Sequence, residues 1–552
     1  MRPSKAKQLG VVDDVVPRAI LEQAAAELAL LIAAGKKPPS QKKKVPLKSE
    51  LSRAVLEDNP LGRKLLFKKA REMTEKQSRG HYPALPAIID VLQTFASDGF
   101  DASKEVEARA FGDLAVSPVA RRLMDVFFAT TALKKDNGTG DPKIEPREVE
   151  KVFVFGAGLM GAGIAYVTAV TADLHVRMKD RDDASVSRGL GAIGEILDER
   201  VRKKQMTRIE RGQRLALLTT TTDDSGLPTA DIAIEAVFED LTLKHKVLRE
   251  FEERGKPRAI FASNTSSIPI GRIAEVSTRP ENVVGMHYFS PVHKMPLLEV
   301  IRTAKTDPSV VATAVALGKK QGKTVIVVND GVGFYTTRAL GPYLNEACWL
   351  LLEGAAVDTI DQALVDWGFP VGPLMLIDEV GIDVAAHVGG VMLEAFGDRV
   401  APPRAIGTVM TDDRKGRKNG KGFYLYGEAA LRAGKGKHVD ATIYAALGLE
   451  KPQSHGKVSI DDIQMRCALQ LVNEALHCLG EGILRSARDG DVGAIFGLGF
   501  PPFRGGPFRF VDTMQASAVL RRMKQYEATL GKRFTPAPAL VEMAKTDRSF
   551  YG

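Results

Sequence analysis

The chain has 552 residues, 44% hydrophobic and 26% charged, which is the composition of a soluble globular protein long enough for about three or four domains. No apolar stretch approaches the ~20 uninterrupted residues that a membrane span needs, and the opening MRPSKAKQLGVVDD lacks the apolar core of a secretory signal. Cys348, Cys467 and Cys478 are too few and too scattered for a disulfide framework or a metal cluster, and the net charge of +9 is not gathered into a nucleic-acid-binding pattern.

Residues 1–147 read as mostly helical, with apolar periodicity in AILEQAAAELALLIAAG and RKLLFKKAREM. The densest basic run, KKPPSQKKKVPLK at 36–48, contains no aromatic residue and is broken by Pro38, Pro39 and Pro46, so a solvated linker is expected there. The segment ends in DNGTGDPKIEPRE, whose Gly and Pro punctuation predicts a domain boundary. From 151 the texture changes to KVFVF, LHVRM, LALLTTT, IAIEAV, AIFAS, VVGMHYF, LLEVI and TVIVV, alternating with helical stretches. That alternation predicts an α/β fold with a parallel, doubly wound sheet of the Rossmann type. After Asp330 the pattern is helical and duplicated: LNEACWLLLEG from Leu344 and VNEALHCLGEG from Val472 share Asn-Glu-Ala and Glu-Gly at equal spacing. Each is followed by Gly-Phe-Pro and then by a proline five residues before an aspartate (Pro373 and Asp378; Pro507 and Asp512).

Within GAGLMGAGIA, a G-x-G-x-x-G formed by Gly156, Gly158 and Gly161 closes the first strand and opens a helix. Gly156 permits the turn, Gly158 lets the backbone approach a pyrophosphate, and Gly161 lets helix and strand pack closely. The second strand finishes at Asp180, near the ~20-residue spacing at which an acid bonds the adenosine ribose, so NAD is the expected cofactor. Lys179 and Arg181 flank that acid and argue the other way, because a cation there is how such sites take NADP.

Ligands of an open α/β sheet sit beyond the carboxyl ends of its strands, where this sequence offers Glu239, Lys244, Asn264, Ser266, His287 and Glu299. In an isolated S-S-x-P, Ser266 would be an N-cap for a helix at Ile268, and Glu239 with Lys244 would mark a solvated helix start. A turn centred near His293 places His287 opposite Glu299 if the flanking strands pair antiparallel. The carboxylate can then hold one imidazole nitrogen and leave the other facing a substrate hydroxyl. His293 itself is expected to be exposed.

Together GAGLMGAGIAYVTA, FASNTSSIPI, GMHYFSPVHKMPLLEVI, GVGFYTTR, GFPVGP and FGLGFPPFRGGPFRFVD resemble the alpha subunit of the multifunctional fatty-acid β-oxidation complex over essentially the whole chain. The resemblance implies an NAD-dependent L-3-hydroxyacyl-CoA dehydrogenase acting on acyl-CoA. Carried over by motif, His287 is the general base, Glu299 orients it, and Ser266 bonds substrate and the nicotinamide region. Gly156, Gly158, Met160, Gly161, Asp180, Glu239, Lys244, Asn264 and Ser290 fall at the cofactor, and Thr337 and Phe496 at the substrate. Three of these positions depart from common members: Thr337 and Ser290 each replace an asparagine, and Phe496 replaces a tyrosine of some bacterial members.

The implied organisation is a truncated enoyl-CoA hydratase remnant with linker helices over 1–147, a Rossmann domain over 148–330, and helical domains over 331–430 and 431–552. Residues 4–17, SKAKQLGVVDDVVP, resemble the last part of a hydratase domain, so the chain is expected to lack hydratase activity of its own. The expected setting is the cytoplasm, with a thiolase beta subunit or further copies of the chain as partners and with no nucleic acid, metal or transmembrane segment. Two other readings stay open: a non-catalytic scaffold that docks a thiolase subunit, and another Rossmann dehydrogenase acting on a sugar phosphate or small hydroxy acid.

Overall fold

The computed structural model describes residues 10–36, 59–434, 436–450 and 458–551, with a few isolated positions besides. The basic run at 36–48 lies outside them apart from Lys36, and the 4–17 stretch is described only in part. The chain divides into two compact units, Met1–Arg109 with Asp198–Arg208, and Ala110–Leu197 with Ile209–Gly552.

The first unit is helical, as the periodicity predicts. Helix Pro60–Ser78 opens on Asn59, whose side chain accepts the Leu61 N–H, with proline at the first position where its missing N–H costs nothing. It pairs with helix Ala84–Asp98 through Arg71, which reaches Gln93 at 2.9 Å and Asp90 at 2.5 Å.

The second unit is built on an eight-stranded sheet: β1 Lys151–Phe155, β2 His175–Lys179, β3 Leu218–Thr221, β4 Ile232–Glu235, β5 Ile260–Ser263, β6 Val283–Tyr288, β7 Leu297–Arg302 and β8 Thr324–Asn329. The order is β3-β2-β1-β4-β5-β6-β7-β8. Six strands run parallel; β7 turns back antiparallel on β6, and β8 lies parallel to β7. The connection 289–296 is too short for a crossover helix, which needs about a dozen residues or more, so antiparallel pairing is the outcome open to it. β4 and β5 are buried at every residue, as strands covered on both faces must be.

The expected boundary at 147 is not where packing divides the chain. Helix Pro118–Lys135 packs on β8, and the polar stretch after it is strapped to the same unit. Asp136 accepts from Arg485 and Arg488 at 3.0 Å each, while Arg147 donates to Ser309, Asn282 and the Arg258 carbonyl. The Gly and Pro punctuation marks irregular backbone there, and side-chain bonds from far along the chain hold it.

The duplication of the helical half is visible in its ion pairs. Helices Thr336–Leu352 and Ile460–Gly480 pack on each other and exchange matched bonds. Arg338 reaches Glu474 and Glu481, and Arg466 reaches Glu346 and Glu353. The shared Glu residues of each repeat are thus paired with an arginine on the other repeat's helix, and Glu346 and Glu474 lie deep enough that leaving either unpaired would be costly. A further match escapes the sequence reading: Asp378 accepts the Phe423 and Tyr424 amides, and Asp512 accepts the Phe550 amide. Tyr424 bonds Asp361 as Tyr551 bonds Asp491. The first copy also runs past 430, since buried Arg414 binds Asp440 and Thr442, and Tyr444 accepts the Val357 N–H.

Candidate active site

The glycine turn leaves β1 where the sequence places it. Gly156 has φ 98°, in the left-handed region, and a Cβ there would stand 2.6 Å from the Ala236 carbonyl oxygen. At Gly161 a Cβ would stand 1.9 Å from the Gly156 oxygen, so only glycine lets helix Leu159–Tyr166 cross the turn this closely. At Gly158 a Cβ would meet nothing within 4 Å. That open space faces the start of the helix at Leu159 and Met160, where free N–H groups and the helix dipole favour a pyrophosphate.

Asp180 stands beside this turn, its carboxylate accepting the Ala157 and Arg181 amides at 2.7 Å each. Lys179 is taken up by Asp224 at 2.5 Å and Glu250 at 3.8 Å, so the cation that could have welcomed a 2'-phosphate is already neutralised. Arg181 points into solvent and pairs with Asp182. The residues fit NAD.

At the ends of β4 and β5 the picture is richer than a solvated helix start. Glu239 accepts the Thr265 hydroxyl and the Ser266 and Ser267 amides, and so fixes the loop that presents Ser266. Lys244, 1% exposed, joins Glu239 at 3.2 Å to Glu235 at 2.8 Å, and Glu235 also accepts the Ser263 hydroxyl. Burial alone would pull the Lys244 ammonium down, but the two carboxylates outweigh it and hold it above the ordinary lysine value. Burial would likewise lift Glu239, and Lys244 together with the loop donors holds it below the usual carboxylate range. Ser266 is not an N-cap: the helix starts at Ile270, and Asp330 caps it by accepting the Ile270 and Gly271 amides at 2.7 Å each. Among the described residues no group bonds the half-buried Ser266 hydroxyl, which leaves it available to a ligand. Asn264 accepts the Tyr288 N–H and ties β5 to the strand carrying His287.

His287 and Glu299 are register partners on β6 and β7, with Nδ1 and Oε2 3.0 Å apart. Both are buried, at 4% and 0% exposed. Glu299 also accepts the Tyr335 and Thr336 amides and the Thr336 hydroxyl. The carboxylate can only accept, so Nδ1 carries the hydrogen and Nε2 presents its lone pair, with no partner among the described residues. Phe289 and Phe334 lie beside the ring at centroid distances of 4.6 and 6.0 Å.

Thr337 is half-exposed one residue beyond this cluster, and Phe496 is half-exposed on a π-turn, Ala494–Leu498, of the second helical copy. The next residue, Gly497, lies so close that a Cβ would meet Leu297, Thr336 and Phe289, so the second copy abuts the histidine pocket. Ser290 is exposed in the turn after β6, whereas His293, expected to be exposed, is half-buried with its ring edge-on to Tyr166. The sequence reading missed Glu235, whose signal is an acid inside an apolar strand, and Thr336, whose signal is only its place beside Thr337.

A glycine turn at the end of β1, an acid closing β2 and an imidazole–carboxylate pair on the same rim define a nicotinamide-dependent dehydrogenase of hydroxyl substrates. Residues 151–331 match the family model of the 3-hydroxyacyl-CoA dehydrogenase NAD binding domain, and 333–426 that of the 3-hydroxyacyl-CoA dehydrogenase C-terminal domain. The fatty acid oxidation complex subunit alpha of Shewanella amazonensis is 50% identical over 551 residues, 100% of this chain and 76% of that protein. Among solved structures, 3-hydroxybutyryl-CoA dehydrogenase from Escherichia coli K12 matches at TM-score 0.63 and 26% identity, over 72% of this chain and 99% of its own. The dehydrogenase part of multifunctional enzyme 1 from C. elegans shares the fold at TM-score 0.55 and 24% identity, over 76% of this chain and 96% of its own. The chain belongs to the family of fatty acid oxidation complex alpha subunits. It is an NAD-dependent 3-hydroxyacyl-CoA dehydrogenase of fatty-acid β-oxidation.

Proposed function

We propose that His287 is the general base in the NAD-dependent oxidation of a (3S)-3-hydroxyacyl-CoA to the 3-ketoacyl-CoA. The observation that carries this reading is the unpartnered His287 Nε2 on a ring whose Nδ1 is fixed 3.0 Å from Glu299. Nε2 takes the proton of the C3 hydroxyl as the C3–H bond breaks, and the imidazolium that forms is countered by the buried Glu299 carboxylate. NAD, when bound, supplies the acceptor for the hydride that leaves C3. In the reverse direction His287 returns its proton to the C3 oxygen. Ser266 offers its free hydroxyl to the same oxygen, on a loop that Glu239 and Lys244 hold in place. Gly156, Gly158, Met160, Gly161 and Asp180 hold the dinucleotide, Asn264 and Ser290 border the nicotinamide end, and Thr337 and Phe496 line the acyl side.

A non-catalytic scaffold has no use for a histidine and a glutamate buried and aligned in this way, so the catalytic reading is preferred. Partner subunits accompany it: the first unit keeps large apolar side chains at its surface, Leu61 and Phe100 among them, which suits docking of a thiolase subunit. No helix among the described residues is long and apolar enough to cross a membrane, and a cytoplasmic complex is the setting inferred.

Steady-state reduction of acetoacetyl-CoA tests reaction, substrate class and cofactor together. NADH is expected to support turnover at least about tenfold better than NADPH, since Asp180 repels a 2'-phosphate and Lys179 is already paired. Turnover with NADPH alone would remove Asp180 from its assigned role, and turnover of a substrate without coenzyme A would favour a small hydroxy acid instead.

A further inference from the structure

We propose that Thr336 is a positioning residue that sets the basicity of the His287–Glu299 pair; the proposal rests on the general-base reading of His287. Two donors share one oxygen of Glu299: Oε2 lies 3.0 Å from His287 Nδ1 and accepts the Thr336 hydroxyl at 2.7 Å. The other oxygen accepts the Tyr335 and Thr336 amides at 3.0 and 3.3 Å. Glu299 is wholly buried, so these four donors replace its solvation. Each donor that draws on the carboxylate charge leaves less of it to stabilise an imidazolium.

The hydroxyl is aimed by packing. Thr336 is 0% exposed at the first position of helix Thr336–Leu352. Its methyl lies 3.4 Å from where a Cβ on Gly497 would stand, so the π-turn of the second helical copy seats the methyl and leaves the hydroxyl toward Glu299. Two residues on, Arg338 is bound to Glu474 and Glu481, which anchors this helix start to the same copy. The Thr336 hydroxyl is therefore one route by which the second copy reaches the proton relay without touching the reacting atoms.

The charged and titratable groups around the pair leave this effect legible. Tyr335, which donates to the Gly490 carbonyl, and Cys478 on the neighbouring helix are held neutral by burial, each well above its ordinary value. Asp491 faces Tyr335 from the far side, is bonded by Tyr551, and is pushed by burial up to about 8. A limb from Asp491 would be common to all variants.

The test is the pH dependence of kcat/KM for (3S)-3-hydroxybutyryl-CoA oxidation at saturating NAD, in the wild type, Thr336→Val and Thr336→Ser. Valine keeps the methyl seat and removes the donor. Glu299 then holds the imidazolium more tightly, and His287, which must be neutral to act, becomes available only at higher pH. The acid limb is expected to move up by ~0.5–1 unit, a roughly three- to tenfold lower rate below both midpoints. Serine, which keeps the donor and loses only the methyl seat, should bring the midpoint most of the way back to the wild type.

A valine variant with a lowered plateau and an unmoved midpoint, or a serine variant displaced as far as valine, would overturn the proposal. Should valine prevent folding, Thr336→Cys replaces the hydroxyl by a weaker donor of similar shape, and its midpoint must then fall above the wild type. An unshifted cysteine midpoint also overturns the proposal. His287→Gln in the same assay separates the two levels. Retained turnover there means the general-base reading has failed; lost turnover with an unmoved Thr336→Val midpoint means that this inference alone has failed.

Discussion

His287→Gln is expected to lower kcat/KM for 3-hydroxyacyl-CoA oxidation by about 10²–10⁴-fold, the range typical of losing a positioned general base, with the KM for NAD nearly unchanged. Glutamine matches the imidazole in reach and can still donate an amide hydrogen to Glu299, so the strand pair β6–β7 should keep its register. What it lacks is a site that takes a proton from an alcohol near neutral pH. The effect should be large because His287 is buried with Phe289 and Phe334 beside its ring, and among the described residues no other titratable side chain is bonded to it except Glu299. Steady-state kinetics together with a thermal melt of the variant distinguish lost chemistry from lost folding.

Gly161→Ala is expected to weaken NAD binding by at least about 100-fold, which corresponds to roughly 2.7 kcal/mol, and to lower the melting temperature as well. The added Cβ would stand 1.9 Å from the Gly156 oxygen and 2.8 Å from the Gly156 carbonyl carbon, both backbone atoms with no rotamer to yield. The helix must then back away from β1, taking the amides that would meet the pyrophosphate with it. Gly158→Ala makes the control: its Cβ meets no protein atom within 4 Å, and at φ −70° an alanine fits the backbone. That variant should melt like the wild type and bind NAD poorly, because the methyl occupies the ligand's space. Calorimetric titration of both with NAD checks the pair, and equal melting temperatures for the two would contradict the packing argument.

The elements that the sequence displays most plainly are those fixed by local physics. Each of the eight strands overlaps one of the short β-branched runs to within a residue at its C-terminal end, and the opposition of His287 and Glu299 follows from turn length and the two-residue strand period. The glycine turn is legible because backbone conformation and close approach restrict residue type. Other features depend on partners distant in sequence. Lys244 looks like a solvated helix residue until Glu235 and Glu239 close around it. Asp136 opens a polar stretch that reads as a linker, and Arg485 and Arg488 of the second helical copy hold it in place. The match of Phe550 and Tyr551 to Phe423 and Tyr424 is two residues long in sequence, and only the amides they give to Asp512 and Asp378 expose it. Thr336 carries no signal beyond its place beside Thr337, since the aim of its hydroxyl depends on packing against Gly497, far along the chain.

The central claim is that the open nitrogen of a glutamate-steadied imidazole meets the C3 oxygen of the acyl-CoA. A crystal structure of the chain with NAD and acetoacetyl-CoA measures this directly. The account predicts His287 Nε2 about 2.6–3.2 Å from the C3 oxygen, with C3 about 3–3.5 Å from the nicotinamide carbon that takes the hydride. A complex in which the keto oxygen lies against other groups, with His287 touching neither substrate nor cofactor, would contradict it.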